Sequence, residues 1–448
     1  MQTLNIQALP VAIIGSGPVG LAAAAHLVKR NMSFILFEVK NNIAANVKSW
    51  EHVQVFSPWE YNLDAAAVEL LKENGWQSPD KKSLPTGKEL IEAYLEPLSE
   101  LPSIAPYIYR NHRVIAINRK NLDKLKTQNR EREPFVVQTL HNGQYQRFEV
   151  RAVIDASGTW QSQNPAGSGG VLAMGESENS SNIFYGIPPI LEEAKERYAN
   201  KNILVVGSGH SAAQVLFHLS ELTNDYPNTH IHWVIRKANV DAVIGGKEKD
   251  QLPARGAIGQ KLERLLQEEK LHLHTGFHLH QIEANKGKLN VIGLQQDEMT
   301  VIEGVDEIIA CTGSRPDFSF LREIRLDIHP AVESVPALAD LIDPNVHSCG
   351  TVPPHGAVEL QQPEKDFYVV GMKSYGRAPT FLMATGYEQV RSVVAALAGD
   401  WKAAKKVNLV LPETGVCGVA QPISTLKVIA GACCGGETLK KKKAEGCC

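Results

Sequence analysis

A short apolar strand, a glycine turn and a small-residue helix follow one another twice in this chain, and few folds accommodate that pair. The first copy, residues 10–38, reads PVAIIGSGPVGLAAAAHLVKRNMSFILFE. Val11–Ile14 is an apolar run of the length expected of a buried strand. The turn comprises Gly15, Ser16, Gly17, Pro18, Val19 and Gly20. An Ala- and Leu-rich helix follows, then a second apolar run, Phe34–Phe37, ending in Glu38. In such a unit Gly15 permits the tight turn, Gly17 lets the backbone approach a pyrophosphate, and Gly20 lets the helix pack close to the strand. The N–H groups at the helix start suit phosphate. A carboxylate about 20 residues on suits ribose hydroxyls. A glycine turn without a ligand is the plainer alternative, but strand, glycines, helix, strand and acid in this order point to a dinucleotide site.

The second copy reads KNILVVGSGHSAAQVLFHLS from Lys201, then HIHWVIRK from His230. Its turn holds Gly207, Ser208, Gly209, His210 and Ser211, with Ala212 at the third glycine position, an allowed replacement. The second strand, His230–Ile235, ends in Arg236 and Lys237 rather than an acid. Cations there suit the 2′-phosphate of NADPH over NADH; two surface cations at a strand end are the plainer reading. Two sites imply two dinucleotides, in the usual arrangement FAD at the first and NADPH at the second.

Two further strands end in small-residue turns. Arg151–Ile154 leads into DASGTW, with Ser157 and Gly158, and Glu307–Ala310 leads into CTGSRPD, with Gly313. Such turns let backbone cross near a cofactor. They mark where the chain would leave and re-enter the first domain. The expected class is α/β: an FAD-binding Rossmann-like domain of residues 1–164 and 311–412, an inserted NADPH-binding Rossmann-like domain of residues 165–310, and a flexible Cys/Lys-rich tail of residues 413–448.

Composition removes several functions. Among 448 residues, 46 Lys and Arg against 49 Asp and Glu give a net charge of −3, not the basic balance of a nucleic-acid binder. No apolar run reaches the length of a bilayer span, and no basic, apolar leader precedes the first motif. A cytoplasmic location is the expectation. The seven cysteines begin at Cys311 and continue with Cys349, Cys417 and the adjacent pairs Cys433-Cys434 and Cys447-Cys448. This is no disulfide framework. Nor can the first 310 residues supply the CxxxxC or CxxC dithiol that some flavoprotein reductases place beside the flavin. Electrons would have to pass to oxygen, a quinone, a bound small molecule or another protein.

The tail also carries four lysines, Lys440–Lys443. Neighbouring cations favour thiolate, the metal-binding form. Cys433, Cys434, Cys447 and Cys448 form a candidate site for a soft ion: trivalent arsenic or antimony, zinc or copper(I). Incidental thiols in a solvated tail are the alternative. The run LHLHTGFHLH places His272, His274, His278 and His280 at alternating positions. It reads more simply as one strand with Leu inside and His outside than as a metal site. His355 and Glu359 lie in a loop-rich stretch suited to a pocket rim. No Ser/His/Asp set, HExxH helix or Walker-type loop is evident.

Over about residues 8 to 400 this order resembles the flavoproteins with two dinucleotide-binding domains. On GSGPVG, NIFYGIP and VVGSGHSA it is most similar to the flavin-containing monooxygenases. The FxGxxxH segment of that family begins here at Phe184-Tyr185-Gly186, with Ile190 at the His position. Its Asn-containing segment near the flavin is Phe56-Ser57-Pro58-Trp59-Glu60, with Phe56 at the Asn position. Gly371-Met372 stands where disulfide reductases of similar fold have Gly-Asp. With its vicinal tail cysteines and the stretch Gly371–Val390, the chain also resembles flavoproteins of arsenic-resistance operons. The resemblance implies a cycle in which NADPH, held by Gly207, Gly209, Ser211 and Arg236, reduces FAD. Oxygen then forms a flavin hydroperoxide, whose distal oxygen passes to a trivalent arsenical or a sulfur. The partners implied are a small-molecule substrate and molecular oxygen, and no side chain need act as nucleophile. Three alternatives stand beside this: a monooxygenase of amines or sulfides, an NADPH-dependent reductase serving a partner or quinone, and a metalloid-binding protein with vestigial nucleotide sites.

Overall fold

The computed structural model describes residues 5–240, 253–343, 355–378 and 382–409. Strands are β1 (Val11–Ile14), β2 (Phe34–Phe37), β3 (Ile108–Tyr109), β4 (Arg113–Arg119), β5 (Phe135–His141), β6 (Gln144–Val150), β7 (Ala152–Asp155) and β8 (Ile183–Tyr185). They continue with β9 (Asn202–Val206), β10 (His230–Val234), β11 (His272–His274), β12 (Phe277–Asn285), β13 (Lys288–Gln295), β14 (Glu298–Val305), β15 (Glu307–Ala310) and β16 (Phe367–Val369).

Two five-stranded parallel sheets organise the molecule, ordered β16-β7-β1-β2-β3 and β11-β10-β9-β15-β8. Each places a glycine-turn strand at its centre, covered on both faces, so β1 is buried along its whole length. Two three-stranded antiparallel sheets, β4-β5-β6 and β12-β13-β14, accompany them. The first sheet takes its strands from both ends of the described chain, and the second from between them.

The helix Pro18–Lys29 buries Gly20 to Ala25 and Leu27. Small side chains let it lie close to β1, and the helix Met383–Leu397 packs across it. In β9 the two faces divide by the strand period. Ile203 and Val205 join Ala212, Val215 and Trp233 on one side. Leu204 and Val206 join Val234, Phe277 and Val291 on the other. A buried carboxylate, Glu364, accepts from Arg119 at 2.8 Å and Arg130 at 2.7 Å, tying β4 to the segment before β16.

The two connections between the sheets run side by side. Asn164 N donates to Gly313 O at 2.9 Å, Arg315 N to Ser162 O at 2.9 Å, and the Thr312 hydroxyl to Asn164 O at 2.7 Å.

The histidine run is two strands rather than one. Thr275-Gly276 breaks it, with Gly276 at φ +62°. β11 then pairs with β10 in the parallel sheet, while β12 turns into the antiparallel one. His272 and His274 consequently meet His232, whose Nδ1 lies 3.3 Å from His274 Nε2, whereas His278 and His280 are exposed on β12. Among the described residues no group of three or more His, Cys, Asp and Glu is arranged to hold a metal ion, and no helix is long and apolar enough to cross a membrane.

Candidate functional site

A cavity of about 340 Å³ opens at the carboxyl ends of β1, β2 and β7, where open α/β sheets bind ligands. Gly15, Ser16, Gly17, Pro18 and Val19 form its floor, and Glu38 closes one end. Gly15 has φ +97°, and a Cβ there would meet Ala156 O at 2.9 Å. A Cβ on Gly20 would stand 1.9 Å from Gly15 O, so Gly20 shapes the turn without lining the cavity. Around Gly17 there is open space, with nothing within 4 Å of a Cβ position. No side chain caps the helix that Gly17 begins. That free helix start faces the cavity, as a pyrophosphate requires.

Glu38 is buried and oriented by Ser16 and by Lys40 N, which donates to its Oε1 at 2.9 Å. A carboxylate offers about four acceptor positions, and these three bonds leave one for a ribose hydroxyl. His112 lines the same end. Its Nδ1 lies 2.7 Å from Arg110 O and its Nε2 3.1 Å from Gln146 Oε1, and its ring stacks on His141. The cavity is also lined by Asn46, Trp50, Ser157, Gly158, Trp160 and Gln161, together with Gly371, Met372 and Phe320. Trp50 and Trp160 approach with ring centroids 6.4 Å apart. These residues fit an extended dinucleotide with its phosphates at Gly17 and its ribose at Glu38.

The second glycine turn repeats the geometry. Gly207 has φ +132°, and a Cβ there would stand 2.3 Å from Cys311 O. Trp233 Nε1 donates to Gly207 O at 2.7 Å, fixing the turn on β10. Gly209 begins the helix His210–Asp225, again without a side-chain cap. Ser208, His210 and Ser211 are half-buried beside it, and Ala212 is fully buried against the strand. Arg236 and Lys237 are exposed just past β10, and Arg236 Nη1 donates to Ser168 O at 3.2 Å.

Some sequence-derived residues fall elsewhere. Gly313 belongs to the paired connections, with φ +79°, and is absent from the cavity lining. Phe56 does not line the cavity either. Its ring lies 5.1 Å from the His210 imidazole, against the start of the second helix. Ile190 is completely buried. Cys433, Cys434, Cys447 and Cys448 lie outside the described residues. Asn46, His112, Gln161 and Phe320 escaped sequence reasoning because they sit in a one-turn helix, just before a strand, on a turn and in a short 3-10 helix, with no characteristic spacing.

Among the described residues Cys311 is the one cysteine. It is buried, its thiol donates to Gly186 O at 3.3 Å, and burial pushes that thiol up to about 12. It is neither exposed nor ionised at neutral pH, and so unsuited to thiol exchange.

Two parallel-sheet dinucleotide units joined by paired connections define a flavoprotein oxidoreductase with a pyridine nucleotide site. The chain belongs to the pyridine nucleotide-disulphide oxidoreductase family, whose model matches residues 12–339. It is accordingly an oxidoreductase that works with a pyridine nucleotide. Solved structures share the fold. The bacillithiol disulfide reductase Bdr (YpdA) of Bacillus cereus aligns with TM-score 0.64 at 17% identity, covering 87% of this chain and 99% of that one. FAD-bound DfoA, the desferrioxamine-pathway cadaverine monooxygenase of Erwinia amylovora, aligns with TM-score 0.62 at 14% identity, covering 90% and 98%. The ornithine N-hydroxylase KtzI of Kutzneria sp. 744, with reduced FAD, NADP+ and L-ornithine, aligns with TM-score 0.57 at 15% identity, covering 88% and 99%. No curated protein matches the sequence.

Proposed function

We propose that this protein is an NADPH-dependent flavin monooxygenase acting on a small molecule with a soft lone pair, and that its substrate is a trivalent arsenical. The observation that carries the oxygen-using reading is the thiol inventory. The described chain has no dithiol beside the cavity, and its one cysteine is sequestered against Gly186. FAD held there would supply the redox chemistry between NADPH and oxygen. The chain's own part is placement. The helix start at Gly17 holds the pyrophosphate, Glu38 the ribose, and Ser157 and Gly158 border the ring system. Gly207, Ser208, Gly209, His210 and Ser211 hold the second dinucleotide, with Arg236 and Lys237 at its 2′-phosphate. Trp50 and Trp160 exclude water from the reacting end. In this reading residues 165–310 form the inserted NADPH domain, and the tail cysteines Cys433, Cys434, Cys447 and Cys448 capture the arsenical. The protein acts in the cytoplasm.

The test is NADPH and oxygen uptake by the FAD-loaded protein, with and without arsenite or methylarsenite. Stimulated uptake with recovery of pentavalent arsenic is the expected result. Oxygen uptake stimulated by amines or sulfides instead would keep the monooxygenase and discard the arsenical. Turnover with a quinone or disulfide acceptor under anaerobic conditions, and none with oxygen, would replace it with a reductase, the reading that the family's own description favours. Replacing all four tail cysteines by Ser should weaken the apparent affinity for arsenite; an unchanged affinity would remove the tail from the scheme.

A further inference from the structure

A fully buried lysine joins three segments of the cavity wall. Lys373 is 1% exposed, in the turn Gly371–Tyr375 after β16. Its ammonium donates to Asp155 Oδ2 at 2.7 Å and to Ser157 Oγ at 3.0 Å. It also stands 4.5 Å from the ring centre of Phe320 and 5.1 Å from that of Phe318. Asp155 is the last residue of β7 and is wholly buried. Its Oδ1 accepts from the Ser157 hydroxyl at 2.6 Å and from Ser157 N at 3.1 Å. Neither Lys373 nor Asp155 lines the cavity, yet Ser157, Gly158, Phe320, Gly371 and Met372 all do. The other side of the same turn is held as well. Gly371 N donates to Gln389 Oε1 at 2.7 Å, and Gln389 Nε2 donates to Ser374 Oγ at 2.9 Å.

A buried ion pair is a weak source of stability, because desolvation offsets most of the attraction and apolar residues of like volume often serve as well. What it supplies is direction. An ammonium has three donors; here two are committed to oxygens on one wall, and two aromatic rings flank it. We propose that Lys373 is a positioning residue for the flavin, holding the Ser157-Gly158 turn and the Gly371-Met372 turn at the separation the ring system needs. The proposal rests on this cavity being the FAD site.

The test uses the full chain and two variants, Lys373→Met and Asp155→Asn/Lys373→Met. The single variant strands a buried carboxylate and is expected to lose folding stability. The double variant removes both charges at nearly constant volume. Its FAD-free form should melt within about 3 °C of the wild type, since a neutral pair of like shape replaces the ions. It should nevertheless bind FAD at least roughly tenfold more weakly, with a changed visible circular-dichroism band, because positioning rather than stability has been lost. Wild-type FAD affinity and an unchanged band in the double variant would overturn the proposal. So would a loss of affinity no larger than the loss of FAD-free stability in both variants. A wild-type chain that takes up no FAD would overturn the reading of the cavity, and the proposal with it.

Discussion

One carboxylate oxygen of Glu38 accepts both the backbone N–H of Ser16, at 3.1 Å, and the Ser16 hydroxyl, at 2.5 Å. The acid at the end of the second strand and the middle of the glycine turn are thus a single unit, and the carboxylate presents its remaining acceptor position to the cavity. Glu38→Ala removes that acceptor and releases the turn. FAD affinity should fall roughly tenfold to a hundredfold, the range for a hydrogen bond to a charged group. Flavin fluorescence titration of the FAD-free protein measures this, and an unchanged dissociation constant would dissociate Glu38 from the ribose.

The glycines of the first turn should fail in different ways. At Gly20 a methyl group meets Gly15 O at 1.9 Å, backbone against backbone. Gly20→Ala should therefore destabilise the fold by about 3 kcal/mol or more, as expected of overpacking that no side chain can relieve. Gly17→Ala meets nothing, so its FAD-free melting temperature should match the wild type. Its methyl group would nonetheless enter the space a pyrophosphate takes, and FAD binding should weaken strongly. Melting curves and flavin content, measured on both variants, separate folding from binding.

Arg236 is exposed and steered by Ser168 O. If it receives a 2′-phosphate, Arg236→Ala should reduce the preference for NADPH over NADH by about tenfold to a hundredfold, as for loss of a charge-assisted bond. NADH use should change little. The ratio of kcat/KM values for the two nucleotides in flavin reduction is the measurement. An equal fall for both would place Arg236 outside the phosphate site.

Acid should destabilise the fold through two histidines whose protonation burial opposes. Burial, with His52 and Lys261 nearby, brings His218 down to about 4. Burial, with His274, His272 and His230 nearby, does the same to His232. The unfolded chain takes up these protons near the ordinary value of 6.5. Between those pH values the unfolded state binds more protons, so the stability present above pH 6.5 drains away as the pH falls towards 4. The loss should be on the order of 1–2 kcal/mol per histidine after allowance for partial exposure. Thermal melts from pH 7.5 to 4 should show it. Variants with His218→Gln and His232→Gln should melt with a flatter pH profile, and a profile as steep as the wild type would exclude these two groups.

Local sequence determined the two dinucleotide units. β1, β2 and β15 fall on apolar runs, and Gly15 and Gly207 stand in turns that demand the lack of a Cβ. Such features are legible because backbone conformation, strand burial and helix starts depend on residues a few positions apart. The lack of a CxxxxC or CxxC dithiol in the first 310 residues is equally plain, since an absent residue needs no coordinates. Tertiary structure alone decided the rest. Lys373 and Asp155 are 218 residues apart in sequence, and nothing in either neighbourhood foretells their contact. Phe56 reaches His210, and Trp50 reaches Trp160, by packing between segments whose patterns are independent. The histidine run looked like one strand because alternation survives a turn; only the pairing of β11 with β10 and of β12 with β13 shows where it breaks. Periodicity specifies which face a residue takes, but the partner it meets there is set by how distant elements pack.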